Sequence, residues 1–229
     1  MAPHLVLASG SPRRQELLAQ LGIAFEAKPP RVDERLADHL PISQAVVELA
    51  TGKAQAVLAE FPGAVVIAAD TVVILDGQIL GKPHDEANAK DMLRRLRGQW
   101  HAVVTGLVVM APHAASQDAV VTCVKMRSYS DDEIEAYVRS KDPLDKAGAY
   151  AIQNKNFDLV EQVQGCPTNV VGLPLCTLYG RLIALGVEVP VRPDRLCEQT
   201  FGGRCLLNTP TQIAPDAMLA TRQWGQVCP

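Results

Sequence analysis

Apolar residues fall in two kinds of run along this chain: short continuous blocks rich in valine and isoleucine, and longer stretches where they recur every three or four positions. The first kind predicts strands at His4 to Ser9, 23–28 (IAFEAK), 64–70 (AVVIAAD), 71–75 (TVVIL), 100–110, 119–129 and Phe157 to Gln164. The second predicts helices at Glu16 to Leu21, Gln44 to Glu60, Glu86 to Leu96, up to Arg139 after Ser130, and from Pro174 to a stop at Gly186. Boundary residues agree with this division. Ser11, Ser43 and Asp85 suit N-caps, Pro12 suits the first helical position, and Ser130 with Glu133 has capping-box spacing. Asp76-Gly77 signals a tight hairpin turn. Counting outward from it sets Thr71 opposite Lys82 and Asp70 opposite Pro83, so an acid and a base a dozen residues apart become neighbours.

The interleaving predicts an α/β fold. Gly52 interrupts the second helix at a cost on the order of 1 kcal/mol relative to alanine, which points to a close approach by another backbone or a ligand. Beyond about Val187 the periodicity weakens and prolines and glycines punctuate the chain, so residues 1–187 read as the domain and 188–229 as an extension that packs locally around Leu206, Leu207 and Trp224.

Composition narrows the function classes. A chain of 229 residues with 48% hydrophobic content is long enough for one substantial core. A net charge of -3 argues against a broad surface for nucleic acid polymers, so any anion site is local. Asp70 breaks the most apolar stretch before it could span a bilayer, and no signal-like segment opens the chain, which together suggest a cytoplasmic protein. The six cysteines form no C-x-x-C pair and read as free thiols, and the histidines show no metal-motif spacing.

Three places concentrate chemistry. The strand-to-helix connection Gly10-Ser11-Pro12-Arg13-Arg14 combines a helix N-terminus with two guanidiniums, the setting in which phosphates bind. The block 64–70 ends in Asp70, a carboxylate at the end of a buried strand. The segment 142–156 (DPLDKAGAYAIQNKN) reads as a long connection of mixed chemistry, the kind that carries function.

These segments resemble one family, the Maf-like nucleotide pyrophosphatases, also called septum formation proteins. The matching blocks are LASGSPRR at 7–14, VDE at 32–34, KA at 53–54, AADTVV at 68–73, GKP at 81–83, VTG at 104–106, DKAGAYAIQ at 145–153 and NVVGLPL at 169–175. Together they span roughly residues 4–186 and leave the tail uncovered.

The resemblance implies an elongated mixed sheet flanked by helices around a nucleotide-binding cleft, as in inosine-triphosphatase-like folds. It also implies hydrolysis of a nucleoside triphosphate to the monophosphate and pyrophosphate with Mg²⁺ or Mn²⁺, in a protein that is often a cytoplasmic homodimer. The family's site positions fall on Ser9, Arg13, Arg14, Glu34, Lys53, Asp70, Lys82 and Gln153, with Asp70 as proton acceptor and Glu34 and Asp70 as metal ligands; Asp33 is an alternative to Glu34. The AGAYAIQ block is similar to the subgroup acting on dTTP and UTP, whose specificity positions match Arg13, Thr71 and Gln153. Ala151, where glycine is usual, and Asn154-Lys155-Asn156 depart from the pattern. A 7-methyl-GTP or other purine preference, or a nucleotide-sensing regulator of cell division, are the competing readings. Neither G-x-x-x-x-G-K-[ST] nor G-x-G-x-x-G occurs, which removes a P-loop enzyme.

Overall fold

The computed structural model describes residues 3–154, 156–201 and 228. Seven strands form one mixed sheet: β1 (Leu5–Leu7), β2 (Glu26–Ala27), β3 (Val65–Leu75), β4 (Gln78–Leu80), β5 (Trp100–Ala111), β6 (Ala114–Met126) and β7 (Val160–Gln164). Their order is β2-β1-β3-β5-β6-β7, with β4 paired to β3; β1 runs parallel to β2 and β3, and the remaining pairs are antiparallel. The described helices are α1 (Pro12–Ala19), α2 (Ile42–Glu60), α3 (Glu86–Leu96), α4 (Asp131–Arg139), α5 (Pro167–Val171), α6 (Leu175–Ala184) and α7 (Pro193–Phe201). This is the expected mixed α/β architecture. Among the described residues no helix is long and apolar enough to cross a membrane.

The two apolar blocks at 64–70 and 71–75 fold as one strand, β3, because β5 pairs with it without interruption from Val66 to Ile74. Asp70 is therefore mid-strand rather than at a strand end. Successive side chains on a strand point to opposite faces. On one face Val65, Ile67 and Ala69 join a core with α1 and α6, while Val73 and Leu75 join a second core with α3 and α4. On the other face Val66 and Ala68 pack under α2 in a third cluster, and Val72 and Ile74 enter a fourth. Asp70 and Thr71, the half-exposed residues of the strand, sit in the gaps between these clusters, one on each face. Opposite them on β5 lie Gly106 and Thr105, which mark the same gaps.

The Asp76-Gly77 turn forms as predicted, with φ of 49° and 76°. The ladder, however, stops at Val73 opposite Leu80, so Lys82 lies in the following loop and Asp70 and Thr71 pair with β5 instead. Asp85 caps α3 by accepting from the Asn88 N–H at 2.7 Å, and the Ser130–Glu133 capping box is complete. Ser43 does not cap α2. The helix starts earlier, after Pro41, which leaves Ser43 buried in the first turn with no partner for its hydroxyl. Helix α1 likewise begins at Pro12, so Arg13 and Arg14 belong to its first turn; Ser11 occupies the N-cap position without a side-chain bond.

Close approach occurs at Gly106, not at Gly52. A Cβ on Gly106 would lie 2.4 Å from the carbonyl oxygen of Val46, whereas a Cβ on Gly52 would meet nothing within 4 Å. The missing side chain on β5 lets α2 lie directly on the sheet. Val187 and Val189, past α6, are buried with α1 and α6, and Leu196 of α7 packs against them. Leu206, Leu207 and Trp224 lie outside the described residues.

Free thiols are overturned for two cysteines: Cys123 of β6 and Cys228 form a disulfide across a sequence separation of 105. Cys123 is buried on β6, and Cys228 packs against the cluster of Val72 and Ile74 on the α2 face, a proximity that spacing alone does not reveal.

Two buried features set measurable stabilities. Gly106→Ala is expected to cost about 3 kcal/mol, the upper part of the usual range for overpacking, because backbone must yield; Gly52→Ala is expected to stabilise by about 1 kcal/mol as a helix-propensity gain. Denaturant unfolding of the two variants checks the contrast in sign. Separately, burial lowers the His101 pKa from 6.5 to about 3, with Nε2 against the Tyr150 hydroxyl at 2.7 Å. The unfolded chain then binds a proton that the folded chain refuses. Stability should therefore fall with decreasing pH from about 6.5, before the carboxylates titrate, with a limiting slope of about 1.4 kcal/mol per pH unit for this one group. The slope should be lost in His101→Phe when unfolding is measured between pH 7 and 5.

Candidate functional site

The gaps at Asp70 and Thr71 open into one cleft with two lobes. The first encloses about 870 Å³ of solvent-open space and is lined by Arg13, Arg14, Glu34, Lys53, Asp70, Thr71, Lys82, Lys146 and the segment 150–153, among others. The second, about 890 Å³, is reached past the same Arg13, Arg14, Glu34, Lys53 and Lys82, and adds Ser9, Pro29, Pro30 and Asp145. All nine residues expected at the site, Ser9, Arg13, Arg14, Glu34, Lys53, Asp70, Thr71, Lys82 and Gln153, thus line this cleft. Counting only the space a water molecule can enter, the first lobe holds about 170 Å³ and the second about 420 Å³, so the second alone reaches the size range typical of small-molecule sites.

At its centre Lys53, from the face of α2 that rests on β3, is buried with a side chain only 6% exposed. Its Nζ lies 2.8 Å from Asp70 Oδ1 and 2.8 Å from Glu34 Oε1. Desolvating an ammonium costs several kcal/mol, and the two carboxylates beside it offset that cost. The Lys53 hydrogen bond and charge hold the Glu34 pKa below the usual carboxylate value. Asp33, the alternative to Glu34, turns the other way: both its oxygens are engaged by Arg35 on the surface.

The two arginines differ sharply. Arg14 donates from Nε to the Gly172 carbonyl at 2.8 Å, from Nη2 to Thr71 Oγ1 at 3.1 Å and from Nη1 to Ser9 Oγ at 3.4 Å. Burial lowers its pKa from the ordinary guanidinium value, with Asp70 opposing the shift. It is a half-buried brace joining α1, β3 and the end of α5. Thr71 completes the brace through a 2.9 Å contact with the Thr105 hydroxyl. Arg13 faces the cleft mouth and donates to Asp145 Oδ2 at 2.7 Å.

Asp142 and Asp145, to which sequence reasoning gave no role, lie in the 142–156 segment beside Lys146, a candidate phosphate-neutralising cation. Asp142 accepts from the Tyr137 hydroxyl at 2.8 Å and Asn154 at 3.0 Å, and the Ala151 N–H donates to the same Tyr137 oxygen at 3.0 Å. Lys146 lies 3.0 Å from Asp142 Oδ1 and 2.6 Å from Asp145 Oδ1. These bonds brace the turn that presents Tyr150 to Gln153 to the first lobe. The mixed charge of DPLDK was the available signal. Here it marks an internal network rather than a solvated loop.

Five cations, Arg13, Arg14, Lys53, Lys82 and Lys146, face two carboxylates in the first lobe. Such a cleft at the middle of a mixed sheet defines an α/β protein suited to a compact polyanion. A family model described as Maf-like protein matches residues 4–185, and the chain belongs to that family. It is 47% identical over 182 residues to a dTTP/UTP pyrophosphatase of Gloeobacter violaceus, covering 80% of this chain and 96% of the relative. It is 48% identical over 187 residues to a dTTP/UTP pyrophosphatase of Moorella thermoacetica, covering 81% and 96%. A third protein of that name, from Dictyoglomus turgidum, is 46% identical over 192 residues, covering 82% and 100%.

The division between the arginines is testable by unfolding. Arg14→Met should destabilise the fold by about 1–3 kcal/mol, because it removes the charged donor from the Gly172 carbonyl and from the Thr71 and Ser9 hydroxyls. Arg13→Gln should stay within about 1 kcal/mol of wild type, since it removes one largely exposed ion pair.

Proposed function

We propose that this protein is a nucleoside triphosphate pyrophosphatase acting on dTTP and UTP, releasing the monophosphate and pyrophosphate. The observation that carries the reading is the Glu34–Lys53–Asp70 cluster set among cleft cations, in a chain whose relatives are named dTTP/UTP pyrophosphatases. A triphosphate brings several negative charges together, and Arg13, Lys82 and Lys146 are positioned to offset them as pyrophosphate departs. Thr71 and Gln153 line the first lobe, where the base is assigned.

The donor set fits a divalent metal. Glu34 and Asp70 already converge on one cationic centre, the Lys53 ammonium, and both offer hard oxygens. Among the described residues there is no cluster of three or more His, Cys, Asp or Glu side chains, so phosphate oxygens and water would supply the remaining ligands. Mg²⁺ or Mn²⁺ held there would neutralise phosphate charge and acidify water. Lys53 fixes Asp70 through Oδ1; Oδ2 is the atom assigned to take the proton from the attacking water. The substrate is a free nucleotide rather than a nucleic acid polymer or a membrane component. The same reading assigns a homodimer in the cytoplasm, a compartment where a disulfide such as Cys123–Cys228 is the exception.

Pyrophosphate release from a panel of triphosphates with Mg²⁺ or Mn²⁺ tests the proposal. dTTP and UTP should be preferred, and Asp70→Asn should lower turnover by at least about 10²-fold while nucleotide binding persists. Preferential hydrolysis of 7-methyl-GTP would remove the pyrimidine assignment. Nucleotide binding without pyrophosphate release from any triphosphate would make the protein a nucleotide-sensing regulator.

A further inference from the structure

The charged groups that line the cleft are not all arranged to attract. Asp145 stands at the second lobe, its side chain 63% exposed, and yet it engages two of the cleft's cations at once. Arg13 Nη1 donates to Oδ2 at 2.7 Å and Arg13 Nη2 to the Asp145 carbonyl at 3.3 Å, while Lys146 Nζ donates to Oδ1 at 2.6 Å. Each oxygen of one carboxylate thus holds a different cation, as two oxygens of a phosphate would. Burial raises the Asp145 pKa, but the hydrogen bonds from Lys146 and Arg13 together outweigh it and the carboxyl sits below its usual value. It is ionised at neutral pH.

We propose that Asp145 is an internal stand-in for a phosphate group, engaging Arg13 and Lys146 as seen here and exchanged for the polyphosphate chain when ligand binds. The proposal rests on the triphosphate reading above.

Three observations support an exchangeable rather than a fixed role. Lys146 has a second anchor in Asp142, itself held by Tyr137 and Asn154, so the ammonium stays compensated when Asp145 swings away. The Arg13–Asp145 pair is largely exposed, and such pairs contribute little to stability. Asp145 and Lys146 are adjacent in sequence but line different lobes, so the carboxylate sits beside the passage between them. A ligand with several negative charges outcompetes one carboxylate for two cations, and a singly or doubly charged anion does so less well. After cleavage the same carboxylate competes with the departing pyrophosphate. Asp145 is accordingly a positioning residue that makes the cleft select for a longer phosphate chain and speeds product exit.

The test is calorimetric binding of inorganic pyrophosphate and of orthophosphate to the full chain, in wild type and Asp145→Asn. The variant should bind pyrophosphate about fivefold more tightly, the scale of one exposed ion pair, and the preference for pyrophosphate over orthophosphate should narrow. On an Arg13→Gln background the gain from Asp145→Asn should shrink. Unchanged or weaker pyrophosphate binding in Asp145→Asn overturns the proposal, since a carboxylate that merely shapes the cleft loses affinity when altered. A gain that persists in full without Arg13 also overturns it. Asp145→Ser, which keeps a hydrogen-bonding group without the charge, carries the same expectation should Asp145→Asn not fold. The readout is separate from hydrolysis. A protein that cleaves no triphosphate but gains pyrophosphate affinity in Asp145→Asn refutes the enzymatic reading alone, and a protein that cleaves dTTP without that gain refutes the stand-in alone.

Discussion

Lys53 is buried between two carboxylates at the middle of the sheet, and much of the surrounding structure can be read as what it takes to put an ammonium there. An ammonium out of water is tolerated only when opposite charge is close and well aligned. Asp70 supplies it from β3 and Glu34 from the loop before α2, each at 2.8 Å. For Lys53 to reach Asp70, α2 must lie against the sheet, and Gly106, paired with Asp70 in the β3–β5 ladder, makes room for the Val46 carbonyl. The absence of one side chain sets the helix–sheet spacing that the ion cluster requires.

The same strand explains why the cleft opens where it does. Four apolar clusters cover the sheet, two on each face, and β3 contributes to all of them. Asp70 and Thr71 interrupt that apolar run at its centre. On the α2 face the interruption is filled by Lys53. On the other it is filled by Arg14, whose guanidinium satisfies Thr71, Ser9 and the Gly172 carbonyl. The buried Lys53 and the half-buried Arg14, one on each side of the sheet, thus stabilise a polar break that would otherwise leave unpaired groups inside the protein. Arg13 at the cleft mouth, the exposed Lys82 and the buried Lys146 are left to meet a ligand.

Much of this was legible along the chain, for local reasons. Asp76-Gly77, the Asp85 cap and the Ser130–Glu133 capping box were readable because each is decided within a few residues. The site residues were legible as short blocks, and the fold brings all of them to one cleft. The misreadings share a different cause. β3 was divided at Asp70 because a charge inside an apolar run looks like an end, yet the ladder to β5 runs through it. Ser43 resembled a cap, but α2 starts after Pro41 and takes Ser43 into its first turn. Gly52 drew attention inside a helix, while the glycine that permits close approach was Gly106, unremarkable within a strand.

By itself, the sequence determined the mixed α/β class, the order of most elements and the local turns and caps, because period, propensity and short-range hydrogen bonding act over a few positions. The set of residues that line the cleft was legible only through the resemblance of short blocks to one family. Tertiary structure alone decided what those residues do. It divided two adjacent arginines into a half-buried brace and a cleft-facing cation, chose Glu34 over Asp33 for Lys53, joined Cys123 to Cys228, and turned Asp145 onto Arg13. Each of those outcomes depends on which partner lies across the fold and on how far water is excluded there, and neither is encoded in the spacing of a single segment.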